Sequence, residues 1–269
     1  MEQAVYSIRT ITNLHMGDIG SSVSIIDKTV QKDAITGYPI IYATSFKGAL
    51  RDDMGTKLSE DDINTIFGNT TATGASKGKY RFNDAHLLFY PVRSNQRPYY
   101  LAVSPMLLEQ ACQIMGLANR DTTIIKNFQN LEKDVLYAND RNEKDVIVDN
   151  FSVNRKLAET ETAKKLLKLF NVSNEPGLLY LSDEKMSELL EQLPIIARNK
   201  LDNGISANLW YEEYVPRKSV FITMLSRETT VENLDKKLKN GHLFQMGANA
   251  TVGYGLTEIK EVFQGGNPA

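Results

Sequence analysis

The tripeptide Asp202-Asn203-Gly204 constrains this chain more than any other feature, because it stands between two β-leaning runs, IIARNKL and ISANLW. Asn and Gly accept the left-handed backbone of a tight hairpin turn, so the two runs are expected to pair as antiparallel strands.

The remaining signals place this hairpin in a mixed fold. Val5 to Ile11 reads as a strand, and the polar stretch from His15 to Lys32 as a long loop or irregular hairpin. A helix is predicted to begin near Thr44 or Ser45, with a hydroxyl cap ahead of Phe46 and Leu50, and to end around Gly55. RFNDAHLLFYPV and YYLAVS read as strands, and Ser104-Pro105 opens a helix running through Met115. Ser182 caps DEKMSELLEQL, which Pro194 stops. SVFITML is a further strand, and Thr229 with Glu232 forms a capping box for VENLDKKLK, closed by Gly241. The Gly-rich stretch FQMGANATVGYGL precedes a last strand through Val262.

This order predicts an α+β protein with a ferredoxin-like core whose helices cover one sheet face and leave the other free to bind. Residues 1–116 and 177–269 form that core, with the hairpin around 195–210. The charged, weakly periodic residues 117–176, helical only at TAKKLLKLF, read as an inserted subdomain packed on it. A chain of 269 residues that is 42% hydrophobic can bury one such core.

Composition narrows the chemistry. With 31 basic against 33 acidic residues the formal charge is −2, so any nucleic-acid surface must be a local patch. No apolar run reaches membrane-spanning length, and MEQAVYSIRT lacks a basic start followed by an apolar run. The expectation is a soluble, reduced, cytoplasmic protein without a membrane partner, with Cys112 a core residue inside LLEQACQIMGL. CxxC and HExxH motifs are absent, and His15, His86 and His242 are widely spaced, which disfavours zinc. SFKGAL lacks the glycine-rich loop of an ATP-binding motif.

Other features admit two readings. Gly247, Gly253 and Gly255 suit a bulged turn or a backbone cradle for phosphate. The helix start at Ser45-Phe46-Lys47-Gly48 suits an ordinary cap with two solvated cations, or a phosphate grip with Lys47 and Arg51 on one face. Asp27 reads as a turn former or an acid, and His15 as a loop hydrogen-bonder or a base.

HMGDIGSSVSIIDKTVQKDAITGYPIIYATSFKGALR, the Ile66–Gly68 tripeptide, NDAHLLFYPVRS, LWYEEYVP and QMGANATVGYGL, in that order, resemble the RAMP superfamily of CRISPR proteins. Within it, PVRS and LWYEEY are most similar to the repeated backbone subunit of type III-B (Cmr) effector complexes. The resemblance implies copies of the chain in a helical filament along a guide (crRNA), with other Cmr subunits, and target RNA paired to the guide. The hairpin becomes a thumb that interrupts the duplex, and the target is cut beside each interruption. The family's catalytic aspartate falls on Asp27, with His15, Glu212 and Tyr214 beside it; in LWYEEYVP the apolar and acidic residues at strand spacing equally suit Trp210 and Tyr214 packing the thumb base. Guide contacts fall on Ser45, Lys47, Arg51, Arg93 and Arg198 and, in the Gly-rich loop, on Gly247, Asn249, Gly253 and Gly255.

A carboxylate beside phosphates is repelled, so a divalent ion, magnesium or manganese, bridging Asp27 and a phosphate oxygen is the expected cofactor. His15 as general base is the alternative. Two other readings remain: a guide-binding backbone that does not cut, and a guide-processing ribonuclease relying on histidine chemistry.

Overall fold

The computed structural model describes residues 1–18, 26–71, 74–138, 146–229 and 233–262. The ferredoxin-like core is β1 (Glu2–Thr10), α1 (Ala43–Met54), β6 (Ala85–Val92), β14 (Val220–Arg227), α7 (Asn233–Leu238) and β16 (Leu256–Glu261). These four strands lie side by side in the order β16-β1-β14-β6, all antiparallel, as two interleaved βαβ halves require.

The sheet grows at both edges. β15 (His242–Gln245) adds to β16, while β2 (Ile40–Ile41) and β5 (Tyr80–Phe82) pair with β6 and β14. Beyond β6 come β7 (Tyr100–Val103), β11 (Gly177–Tyr180), β8 (Val135–Ala138), β10 (Phe151–Lys156) and β9 (Val146–Val148). Residues 117–176 therefore continue the central sheet through β8, β9 and β10, and one hydrophobic cluster runs through core and insertion alike.

The expectation of one free sheet face is overturned. Neighbouring strand residues point to opposite faces. Tyr6 reaches Asp235 of α7, whereas Ser7 accepts from Asn171, just past α5 (Thr160–Leu169). The core helices thus take one face, and the inserted segment with α3 (Pro105–Leu117), α4 (Thr123–Gln129) and α5 takes the other. SVFITML carries the signal in retrospect: β14 is buried from Val220 to Ser226, and a continuous apolar run belongs to a strand covered on both sides.

Local rules explain the remaining elements. Ser59 caps α2 (Glu60–Phe67) and Ser182 caps α6 (Asp183–Glu191), each accepting a backbone N–H three residues on. The helix expected at Thr44 or Ser45 begins earlier, at Ala43, whose N–H donates to the Asp84 carboxylate at 2.6 Å. A side chain distant in sequence has replaced the local hydroxyl. Phe46, Leu50 and Met54, at four-residue spacing, bury one stripe of α1. A small hairpin, β3 (Gly68–Thr71) with β4 (Gly74–Lys77), follows α2. Cys112 is half-buried against the core. Glu232 of the expected capping box lies outside the described residues.

The predicted hairpin is β12 (Ile195–Asp202) with β13 (Ile205–Glu213), a separate two-stranded sheet. Asn203 at φ 49° and Gly204 at φ 82° form its turn. Most of its length is exposed, and the Tyr214 N–H closes its base by donating to the Pro194 carbonyl at 3.0 Å.

Candidate catalytic and nucleic-acid interface

Asp27 sits exposed on an irregular segment, and that segment is laid against the base of the thumb. Its Oδ2 accepts the Tyr211 backbone N–H at 2.8 Å. Lys28 N–H donates to the Tyr211 carbonyl at 3.1 Å, and Glu213 N–H to the Lys28 carbonyl at 2.8 Å. Residues 27 and 28 thus run beside β13 as one rung of a parallel ladder, Lys28 facing Glu212.

Glu212 is buried and saturated. One oxygen accepts Lys28 Nζ at 2.9 Å and Trp210 Nε1 at 2.7 Å; the other accepts Arg198 Nε and, at 2.8 Å, Asn249 Nδ2. Burial alone would raise its pKa, but the donors Trp210, Lys28 and Arg198 hold it down to about 2. Four donors fill the carboxylate's acceptor sites, so this group joins the Asp27 segment, both thumb strands and the Gly-rich loop.

The Gly-rich loop (246–255) is braced from below. Ala248 N–H donates to the His15 carbonyl at 2.9 Å and Gly255 N–H to the Asn13 carbonyl at 2.8 Å. A Cβ on Gly247 would stand 2.5 Å from the His15 carbonyl oxygen, and one on Gly255 would strike the Met246 carbonyl, whereas Gly253 faces open space. Two of the three glycines are therefore demanded by backbone packing, not by approach to a ligand. Asn249, at φ 65°, carries its amide back to Glu212.

His15 is only 3% exposed, and its Nδ1 pairs with the Glu213 carbonyl at 2.6 Å. A carbonyl can only accept, so Nδ1 carries the proton. Tyr214 packs edge-on against Tyr254 with ring centroids 5.9 Å apart, and the Arg198 guanidinium lies over the Tyr254 ring, 4.7 Å from its centroid. Burial first, then Tyr254, raises the Tyr214 pKa, which keeps its phenol protonated.

The helix start lies at the other end of the same segment. Gln31 accepts the Tyr42 N–H at 2.9 Å and donates to Ser45 Oγ at 2.9 Å, tying the segment to the first turn of α1. Lys47 is half-buried there without an ion pair among the described residues. Arg51 does not join it: its Nη1 donates to the Gly68 carbonyl at 3.0 Å, bracing α1 against the end of α2. Arg93 also stands apart, beside Asp149 just past the far end of β6, roughly 26 Å of strand from Ala85 next to the helix start.

The structure thus gathers Asp27, His15, Glu212, Tyr214, Arg198 and the Gly-rich loop around the thumb base, with Ser45 and Lys47 one short segment away. Sequence reasoning missed Lys28, Gln31 and Glu213. Strand alternation was the available signal for Glu213, since adjacent glutamates on a strand serve opposite faces. Among the described residues no three His, Cys, Asp or Glu side chains converge to hold a metal ion. Asp27 supplies one carboxylate, so an ion there would take its other ligands from RNA phosphate and water, as magnesium commonly does.

The chain matches the RAMP superfamily over residues 7–258. It is 28% identical to the "CRISPR system Cmr endoribonuclease Cmr4" of Pyrococcus furiosus, over 99% of this chain and 98% of that protein. It is 24% identical to the "CRISPR system CMR subunit Cmr4" of Saccharolobus solfataricus, over 95% of each. Among solved structures, a chain of the type III-B Cmr-beta complex bound to cognate target RNA shares its fold with a TM-score of 0.80 at 24% identity, covering 97% of both. Oligomeric Cmr4 from Pyrococcus furiosus gives a TM-score of 0.73 at 24% identity, over 98% of this chain and 99% of that one.

Proposed function

Because the chain belongs to the RAMP superfamily, we propose that it is a repeated backbone subunit of a type III-B RNA-guided effector complex. It binds crRNA along a helical filament with other Cmr subunits and cuts complementary target RNA at regular intervals, in the cytoplasm. No described helix is long and apolar enough to cross a membrane. The reading rests on the near-full-length relation to a protein named as an endoribonuclease, and on one observation: Asp27 is hydrogen-bonded to the backbone of the thumb itself.

Lys47 and the start of α1 grip the guide backbone, which positions without reading sequence, because base pairing does the reading. The thumb displaces a base, the target backbone bends, and a 2′-hydroxyl comes in line with its own phosphate. Its oxygen attacks phosphorus as its proton passes to water, the bond to the 5′-oxygen breaks, that oxygen takes up a proton from water, and a 2′,3′-cyclic phosphate and a 5′-hydroxyl result. Asp27 orients the attacking hydroxyl from a fixed distance to the thumb, or serves as one ligand to a divalent ion. Such an ion, magnesium or manganese, would offset charge developing on the phosphate oxygens. His15 and Glu212 act as positioning residues, since one is buried beneath the Gly-rich loop and the other is filled by four donors. Tyr214 supports the thumb base by packing.

A backbone that binds without cutting is the second reading. The burial of His15 and the saturation of Glu212 favour it, because they leave Asp27 as the one exposed carboxylate among the four expected catalytic residues. Cleavage of a guide-complementary RNA by the assembled complex separates the two. With Asp27→Ala the regularly spaced cuts are expected to vanish while target binding persists, and a chelator is expected to stop the wild type. Unchanged cuts in Asp27→Ala make the subunit a scaffold at that position; full activity in chelator removes the metal.

A further inference from the structure

We infer that Glu213 is the residue that sets the position of Asp27 relative to the thumb; the inference rests on the reading of Asp27 given above. Glu213 is 2% exposed, at the last position of β13. Its Oε2 accepts the Val30 backbone N–H at 3.0 Å, and its Oε1 accepts Lys32 Nζ at 2.9 Å. Its own N–H donates to the Lys28 carbonyl at 2.8 Å, and its carbonyl takes the His15 ring at 2.6 Å. One residue therefore holds the Asp27 segment at positions 28, 30 and 32 and the irregular stretch at His15 besides.

The need for such a clamp follows from what surrounds Asp27. Residues 27–32 form isolated bridges and separate backbone bonds, among them Asp18 N–H to the Thr29 carbonyl and Gln31 N–H to the Met16 carbonyl, but past Lys28 no backbone–backbone bond among the described residues joins them to β13. The Asp27 carboxylate is exposed and has one bond to the thumb, through the Tyr211 N–H. Val30, fully buried, anchors the segment by packing but does not set its height along β13. The Lys28 backbone bonds to Tyr211 and Glu213 set that height at one point, and the Glu213 carboxylate sets it at the next two, its oxygens holding the Val30 N–H and the Lys32 ammonium. Glu212 secures the same segment only through the long, half-exposed Lys28 side chain. A buried carboxylate left without its partners is costly, so the Glu213 contacts hold more firmly than a half-exposed lysine pair. Displacement of a catalytic group by about 1 Å costs on the order of a hundredfold in rate.

The test uses the assembled complex with Glu213→Ala, Glu213→Gln and Lys32→Met, in wild-type and Asp27→Ala backgrounds. Single-turnover cleavage at saturating target, target affinity and the cut positions are measured together. Glu213→Ala is expected to slow cleavage at least tenfold, with target affinity within about twofold of wild type. Glu213→Gln, whose amide oxygen still accepts the Val30 N–H, is expected to recover most of the rate, and Lys32→Met to lose only a small part. If Glu213 acts through Asp27, adding Glu213→Ala to Asp27→Ala changes nothing further. Wild-type cleavage by Glu213→Ala, with Asp27→Ala inactive, overturns this inference alone. Wild-type cleavage by Asp27→Ala overturns the reading beneath it. Should Glu213→Ala fail to assemble, the double variant Glu213→Gln with Lys32→Met, which keeps the volume and weakens both carboxylate contacts, decides: slowed cleavage at unchanged affinity upholds the inference, and loss of affinity and rate in parallel makes the residue merely structural.

Discussion

At the scale of single residues, the site is governed by how many donors each carboxylate meets. Asp27 is exposed and accepts the thumb backbone with one oxygen, whereas Glu212 is buried and spends both oxygens on Lys28, Trp210, Arg198 and Asn249. A carboxylate depressed to about 2 stabilises the fold above its ordinary pKa of 4.5, and that stabilisation is lost as pH falls from there through about 2. The thumb base is thus expected to be indifferent to pH above about 5 and to loosen below about 4, read by limited proteolysis of the hairpin across that range. Glu212→Gln removes the charge at every pH, and should cost about 2 kcal/mol at pH 7 while flattening the acid transition between pH 4.5 and 2. Melting temperatures of the two proteins at both ends of the range check this. The residue types were legible in LWYEEYVP, but a solvated glutamate and a saturated one are written with the same letter.

Elements depend on glycine and turn chemistry in ways that differ between positions of the same motif. Gly253 and Gly255 have nearly equal positive φ, at 84° and 82°, yet only Gly255 lies where a side chain would strike the neighbouring carbonyl. Gly253→Ala should cost about 1 kcal/mol, the ordinary penalty for a left-handed alanine. Gly255→Ala must shift the backbone that positions Asn249, and should cost several times more and weaken guide RNA binding, as thermal melting and a filter-binding titration would register. The Asn203-Gly204 turn was readable because its requirement is local: two successive residues with positive φ. The cap of α1 was not, because it comes from Asp84, which sequence spacing cannot bring to Ala43.

For the whole molecule, a formal charge of −2 sets how RNA can be held. With few unpaired cations among the described residues at the site, each copy is expected to make few phosphate contacts, so the isolated chain should bind guide weakly, with a shallow salt dependence, and more tightly as protein concentration permits neighbouring copies to assemble. A titration against salt and against chain concentration tests this, and tight, concentration-independent binding by the monomer would contradict it. The sequence by itself determined the mixed class, the strand and helix order of the ferredoxin-like core and the hairpin turn, since each follows from local periodicity, caps and backbone preference. It also set Asp27 close along the chain to the start of α1, because the segment between them is short. Only the tertiary structure decided that the inserted residues extend the sheet and cover its second face, since strand pairing and face choice depend on partners far away in the chain. It alone separated Lys47 from Arg51 and Arg93, and it alone fixed the thumb to Asp27 through Glu212 and Glu213, because burial and donor count are properties of the packed molecule.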